Sequence, residues 1–200
     1  MTTKSPSYSN EIATCRNCTG IINCKQSAPG FEPVITTYQF NGEEVSTIEY
    51  RKCQFKLQRE AEAKLQQLFD ESGLPVRSKD LTLKDAIVSE TLKLEVGNFI
   101  LGKMDMLELI DQYQAAVAIG NEFIRRGIRT KFVTVNELIT DLRYTDNNDY
   151  VNNLKQYITV PKLIIIKYTD FVFTDYASEQ YLMVTERRNR KALQTLICLI

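Results

Sequence analysis

Four of the five cysteines in this 200-residue chain are spaced so that one hairpin could gather them into a single site. Cys15 and Cys18 form a Cys-x-x-Cys pair, Cys24 follows, and Cys53 lies beyond the strand-like segments VITTYQF and EEVSTIEY. The Asn41-Gly42 dipeptide between those segments predicts a type I′ hairpin, which returns Cys53 towards the first pair. Because four thiolates form a tetrahedral ligand set for zinc, the spacing predicts a structural zinc site.

Two other interpretations of these cysteines stay open, a disulfide framework and unrelated free thiols. The amino terminus, MTTKSPSYSNE, lacks the apolar core of a signal peptide, which favours a cytoplasmic protein and argues against disulfides. The apolar runs are too short to cross a bilayer, so we expect no membrane partner. The chain contains no histidine, which excludes imidazole metal ligands and Ser–His or Cys–His catalysis.

A second chemically distinctive group is the basic segment ERRNRK near the carboxyl terminus. The formal net charge of the chain is zero, so any contact with DNA must come from a local cluster of this kind. The same cluster would also suit a helix carboxyl terminus, where cations complement the helix dipole. The candidate contacts with single-stranded DNA are Arg187, Arg188, Arg190 and Lys191.

The elements that position these groups change in character along the chain. Residues 54–72 have helical periodicity, and LPVRSKDLTLKD after them resembles a hinge. We expect NFILG to be the first core strand, and KMDMLELIDQYQ to be helical because it is rich in helix formers. The predicted domains are a zinc-binding hairpin module at 1–53, a linker helix and hinge at 54–80, and an α/β domain at 81–200.

The second half of the chain alternates between helical and strand-like segments. QYQAAVAIGNEFIRRG predicts a helix, FVTV a strand, and Asn136 the N-cap of the next helix. The continuous apolar run LIII after Pro161 is typical of a strand buried on both faces of a parallel sheet, and LQTLICLI predicts another buried strand. This order predicts an α/β fold with right-handed crossovers.

The blocks AIGNEFIRRG, FVTVNELITDLR, LIII, ASEQ and ERRNR resemble the core of the AAA+ helicase loaders DnaI and DnaC and of the related IstB transposition proteins. CRNC, INCK, GFEP and IEYRKC resemble the amino-terminal zinc domain of DnaI-type loaders. In that domain a histidine ligand stands where this chain has Glu32. The resemblance therefore implies zinc held by Cys15, Cys18 and Cys53, with Cys24 as the fourth ligand or Glu32 as the alternative.

The chain departs from this family at both parts of the ATPase site. A P-loop, GxxxxGK[ST], should precede the helix that contains AIGNEF, but no glycine lies between Gly102 and Gly120. The acidic pair that should end the LIII strand is replaced by Lys167 and Tyr168, and a lysine there would repel magnesium. We therefore expect a truncated AAA+-like domain that has no ATP cofactor and is not an enzyme.

The resemblance and these departures together predict a DNA replication protein of the primosome. It would bind the replicative helicase or an active loader, as an adaptor or an inhibitor. The alternative is an active helicase loader or transposition ATPase with an unrecognised nucleotide site. A third possibility is a decaying gene product.

Overall fold

The chain divides into two compact units, residues 1–63 and 64–200. The structure is a computed structural model that describes residues 20, 24, 26, 28–87, 89–143 and 147–200. Cys15 and Cys18 lie outside the described residues. The division between the units falls within one helix, α1 (Gln54–Ser72), which begins directly after Cys53.

The first unit contains an antiparallel hairpin of two ten-residue strands, β1 (Phe31–Phe40) and β2 (Glu43–Lys52). Asn41 and Gly42 both have positive φ, 53° and 84°, as a type I′ turn requires. The hairpin predicted from Asn41-Gly42 is therefore confirmed. At the open end of the hairpin, the Cys53 N–H donates to the Gly30 carbonyl at 2.9 Å. The turn thus returns Cys53 to the residues that precede β1.

The second unit is an α/β layer structure built on one four-stranded parallel sheet with the order β3-β6-β5-β4. This confirms the predicted α/β class with a parallel sheet. Its strands are β3 (Met106–Ile110), β4 (Thr130–Thr134), β5 (Lys162–Lys167) and β6 (Gln194–Leu199). Its helices after α1 are α2 (Leu83–Ala86), α3 (Glu90–Ile100), α4 (Tyr113–Arg125), α5 (Val135–Asp141), α6 (Asn147–Thr159) and α7 (Asp175–Asn189).

Apolar side chains are buried on both faces of the sheet. In β5, Leu163 and Ile165 belong to one core cluster and Ile164 and Ile166 to the other, and all four are at most 1% exposed. The first cluster includes residues of α5 and α6, and the second is built largely around α4. The continuous apolar run in the sequence therefore arises because both faces of a central strand are covered.

Two predictions about the start of the sheet are wrong. NFILG does not form a strand, because residues 98–100 are the last turn of α3 and Gly102 follows with a φ of 74°. KMDMLELIDQYQ is not helical, because its centre forms β3. Leu107 and Leu109 are buried while Met106, Glu108 and Ile110 are exposed, so pairing with β6 and an alternating burial pattern override local helix propensity.

The amino terminus of α5 lies two residues earlier than predicted. Thr134, not Asn136, is the N-cap, and its side chain accepts from the Glu137 N–H at 3.2 Å. The Glu137 carboxylate in turn accepts from the Thr134 N–H at 2.8 Å, which completes a capping box. The helix therefore begins directly at the end of β4.

The segment predicted as a hinge is anchored to the second unit. Leu74 and Ile87 are buried in the core that contains α4. The buried Asn121 side chain donates to the carbonyls of Ser78 and Leu81 at 2.6 and 2.9 Å. Arg125 donates to the Lys79 carbonyl at 2.7 Å. This segment is thus held by side chains of α4.

None of the helices described here has both the length and the hydrophobicity needed to cross a bilayer.

Candidate functional site at the carboxyl edge of the sheet

The carboxyl ends of β3, β5 and β6 meet at one edge of the parallel sheet, which is where α/β proteins of this type place ligands. The peptide groups beyond the strands continue the ladder there. The Asp111 N–H donates to the Leu199 carbonyl at 2.8 Å, and the Thr169 N–H donates to the Ile200 carbonyl at 2.7 Å. The strand ends are therefore held closely together.

Only two residues, Asp111 and Gln112, connect β3 to α4. Asp111 has a positive φ of 53°, and Gln112 is the N-cap of α4 without a side-chain capping bond. A P-loop needs about eight residues, GxxxxGK[ST], to wrap its backbone N–H groups around the phosphates. A connection of two residues is too short to form that loop. The missing sequence motif therefore corresponds to a shorter stretch of main chain between β3 and α4.

Aromatic and thiol side chains lie together beside this short connection. The Tyr113 ring is 6.1 Å from the Phe132 ring in an edge-on arrangement. Burial raises the pKa of Tyr113, with smaller contributions from Tyr168 and Cys198, so these two groups are its neighbours. Cys198 is fully buried, and burial raises the pKa of its thiol. This part of the edge is therefore packed with neutral side chains.

The end of β5 carries a cation in place of an acidic pair. The Lys167 Nζ atom is 4.9 Å from the centre of the Phe173 ring, and Tyr168 is exposed. Asp170 is also exposed and lies beyond the strand. A carboxylate pair at this position would hold magnesium, whereas an ammonium group repels it.

Labelling of Cys198 with iodoacetamide tests how closely the side chains pack at the carboxyl ends of the strands. We expect the thiol in the folded chain to react at least about a hundredfold more slowly than in the denatured chain, because it is buried and its pKa is raised. Mass spectrometry of the labelled peptide measures the rate. Equal rates in the folded and denatured chains would show that solvent enters the edge.

Two of the predicted zinc ligands lie in the described residues of the first unit. Cys24 and Cys53 are half-buried free thiols, and Glu32 is half-buried in β1 opposite Arg51. Among the residues that the structure describes, no three cysteine, aspartate or glutamate side chains come together as a group that could hold a metal ion, so Cys24, Cys53 and Glu32 do not form such a group by themselves. The full set of four cysteines, which requires Cys15 and Cys18, remains a prediction.

The basic residues predicted to contact DNA have different environments. Arg187, Arg190 and Lys191 are exposed, and Arg190 forms an ion pair with Glu186 at 3.2 Å. Arg188 is fully buried and donates to main-chain carbonyls within the unit, so it is not available to a nucleic acid in this structure. The prediction that Arg188 contacts DNA therefore does not fit its position.

Sequence reasoning overlooked Tyr113 and the two-residue turn. Four of the five residues in MLELI are apolar, so the alternation of exposed and buried positions is visible only in the structure. A strand ending at Ile110, followed by the helix containing AIGNEF, leaves only Asp111 and Gln112 between them.

No protein-family model matches the chain, and neither does any curated protein sequence. Solved structures do match. DnaA from Aquifex aeolicus bound to AMPPCP is 15% identical over 64% of this chain, with a TM-score of 0.54. The replication initiator DnaA bound to AMPPCP and single-stranded DNA is 14% identical over 64% of this chain, with a TM-score of 0.55. This chain spans 43% of each DnaA chain.

A structure of DnaI is 19% identical over 64% of this chain and 76% of its own, with a TM-score of 0.52. Over that part of its length, the chain has an α/β fold in common with DnaA and DnaI.

Proposed function

We propose that this protein is a non-catalytic relative of the helicase loaders. It binds the replicative helicase, or an active loader, as an adaptor or an inhibitor in DNA replication. The two-residue connection between β3 and α4 is the observation that supports this proposal most directly. A subunit without a phosphate loop could still occupy a place beside an active motor, but it could not hydrolyse ATP there.

The amino-terminal unit is the proposed helicase-binding part. Cys15, Cys18, Cys24 and Cys53 would hold zinc, with Glu32 as the alternative fourth ligand, and the metal would stabilise the fold of the unit. A two-stranded hairpin is marginally stable alone in water, which gives a structural zinc ion a clear role in this unit. The exposed residues Arg187, Arg190 and Lys191 are the proposed contacts with single-stranded DNA.

A cleft beside α4 supports the alternative, an ATPase with an unusual nucleotide site. The cleft has a volume of about 490 Å³ and lies next to the start of the helix. Its polar lining includes Arg77, Ser78, Asp80 and Gln114. The DnaA structures contain AMPPCP, and a nucleotide bound here would have to be held without a P-loop.

Binding of labelled ATP with magnesium distinguishes the two functions. We expect no saturable binding up to millimolar ATP and no turnover, because the two-residue connection between β3 and α4 is too short to enclose the phosphates. Equilibrium dialysis and phosphate release are the measurements. Saturable, magnesium-dependent binding that is lost in Arg77→Ala would contradict the proposal and support the alternative.

Zinc content and helicase binding test the amino-terminal unit. We expect one zinc per chain, and we expect the double variant Cys15→Ser/Cys18→Ser to lose both the metal and the helicase. Cys198→Ser is the matched control, because this cysteine lies in the other unit and should leave zinc content unchanged. A double variant that still binds the helicase would place the interaction elsewhere in the chain.

A further inference from the structure

The connections that lead into the four strands of the parallel sheet are strongly basic. They are residues 101–105, 126–129, 160–161 and 190–193, and together they form what we call the amino-end surface. They contain a single acid, Asp105. Their five cations, all exposed, are Lys103, Arg126, Arg129, Arg190 and Lys191. The connections that follow the strands contain Asp111 and Asp170 and no cation. Although the net charge of the chain is zero, charge is therefore separated between the two ends of the sheet.

The helix dipole does not account for three of these cations. A cation complements the dipole only within the last turn of a helix. Lys103 lies three residues past the end of α3, Arg129 four residues past the end of α4, and Lys191 two residues past the end of α7. In the described part of the chain, no carboxylate lies within ion-pairing distance of any of the three. Their charges are therefore available to an anionic ligand.

The main chain fixes the position of each of these three cations. The Lys103 N–H donates to the Asn98 carbonyl at 2.9 Å, and the Lys191 N–H donates to the Arg188 carbonyl at 3.0 Å. The Arg129 carbonyl accepts from the N–H of the first residue of β5 at 3.3 Å. A surface whose main chain is already ordered loses less entropy when it binds a ligand.

Gln194, the first residue of β6, holds the connections side by side. Its side-chain nitrogen donates to the Met104 carbonyl at 2.6 Å, and its side-chain oxygen accepts from the Lys162 Nζ atom. Burial and the charge of Arg188 lower the pKa of Lys162, whereas the charge of Asp105 raises it. Lys162 and the buried Arg188 thus add two further cations behind the amino-end surface.

The cations follow one another across the sheet. The strand order β3-β6-β5-β4 places Lys103 before β3, Lys191 before β6, Lys162 at the start of β5 and Arg129 before β4. Neighbouring strands lie about 4.8 Å apart, so the four strand ends extend over about 14 Å. Phosphates along one strand of a DNA duplex recur about every 3.4 Å of the helix axis. The row of cations therefore has the length of about four phosphates.

We propose that the amino-end surface binds the sugar–phosphate backbone of DNA without stacking on its bases. The four connections contain no aromatic residue, whereas surfaces that bind single strands stack bases on aromatic side chains. The cores of protein–protein interfaces are also enriched in aromatic residues, so an acidic protein is a poorer ligand. The inference rests on the proposed role in DNA replication, and it extends the DNA contact from the end of α7 to all the connections before the strands.

The test measures binding of the full-length protein to a fluorescein-labelled duplex of about 20 base pairs, and to one of its strands alone, by fluorescence anisotropy. At about 50 mM salt we expect a Kd on the order of 10⁻⁵ M for the duplex. The single strand should bind more weakly, because its charge density is lower. The logarithm of the binding constant should fall against the logarithm of the salt concentration with a slope of about −2.7, which is about −0.9 for each of three phosphate contacts.

Neutral substitutions test the individual contacts. Lys103→Gln, Arg129→Gln and Lys191→Gln should each weaken duplex binding by about threefold to tenfold and reduce the salt slope by about 0.9. The triple variant should lose saturable binding. Lys84→Gln, at an exposed position of α2, introduces the same charge change away from the surface and should leave both quantities unchanged. The triple variant should still bind the helicase, so the two proposals fail independently.

Four results would overturn the inference. The first is no saturable binding of either DNA at low salt. The second is tighter binding of the single strand than of the duplex, because stacking on bases would then contribute. The third is a triple variant that binds the duplex like the unchanged protein. The fourth is displacement of the duplex by polyglutamate as effectively as by unlabelled duplex at equal charge, because the surface would then suit an acidic protein.

Discussion

Replacing Arg188 with leucine is expected to lower the free energy of unfolding by about 3–5 kcal/mol. The guanidinium is fully buried and donates to the carbonyls of Tyr157, Val160 and Gln194 at 2.6–2.8 Å. It also donates to the Thr195 hydroxyl at 2.9 Å. Leucine fills part of the space but leaves the buried carbonyls of Tyr157 and Val160 without the donor that Arg188 supplies. Urea denaturation followed by circular dichroism measures the loss.

The adjacent Arg187 provides the control. It is exposed on the same helix, so Arg187→Leu should change the stability by no more than about 0.5 kcal/mol. If Arg188→Leu does not fold, Arg188→Lys retains the charge and can satisfy only some of the acceptors, so an intermediate loss is expected. A loss below about 1 kcal/mol in Arg188→Leu would show that other donors reach these carbonyls.

Arg188 connects three elements at the amino-terminal ends of the sheet strands, whereas the candidate site lies at their carboxyl-terminal ends. Its acceptors are three carbonyls at and just after the end of α6, and a carbonyl and a hydroxyl at the start of β6, while the residue itself belongs to α7. Burial lowers the pKa of Arg188 to about 10, because the acceptors are neutral and compensate only partly for lost water. The expected loss therefore comes from hydrogen bonds, not from an ion pair.

The burial of Arg188 could have been predicted from its position on the same helical face as apolar residues of α7. Ala177 and Val184 are buried on α7, and Arg188 lies eleven and four residues after them, on the same helical face. Arg187 is about 100° around the helix from Arg188 and is exposed. A cluster defined only by composition combines these two environments, which is why four basic residues were predicted as one DNA contact.

The helices and strands of the second half could be predicted because local pattern and tertiary environment agree there. β5 is apolar from Leu163 to Ile166 and central in the sheet, and α4 has its apolar face against the core. β3 could not be predicted from propensity, because methionine, leucine and glutamate favour a helix. Its strand conformation depends on pairing with β6, which lies nearly ninety residues later.

The missing ATPase motifs are a fact of the sequence, whereas the structure of the segment that replaces them was predicted incorrectly. Glycines, a P-loop lysine with its hydroxyl partner, and paired acids are sequence features, so their absence needs no structure. KMDMLELIDQYQ was expected to be helical. The structure instead shortens the connection to Asp111 and Gln112 and packs Tyr113 beside it. The length of a loop depends on where the preceding strand ends, and that end was misplaced.

Replacing Gly73 with alanine is expected to lower the free energy of unfolding by about 3 kcal/mol. Gly73 has a φ of 77°, which is strained for any residue with a Cβ atom. The added Cβ would also lie 2.6 Å from the Phe132 carbonyl oxygen, and this neighbour is main chain that cannot move without disturbing β4. Thermal and urea unfolding of the variant measure the effect.

Gly127→Ala separates the strain of a positive φ from the steric clash with the Phe132 carbonyl oxygen. Gly127 also follows a helix and has a φ of 74°, but a Cβ atom there meets nothing within 4 Å. It should therefore show the conformational cost alone, about 1 kcal/mol. Equal losses at the two positions would mean that the Gly73 turn does not contact β4.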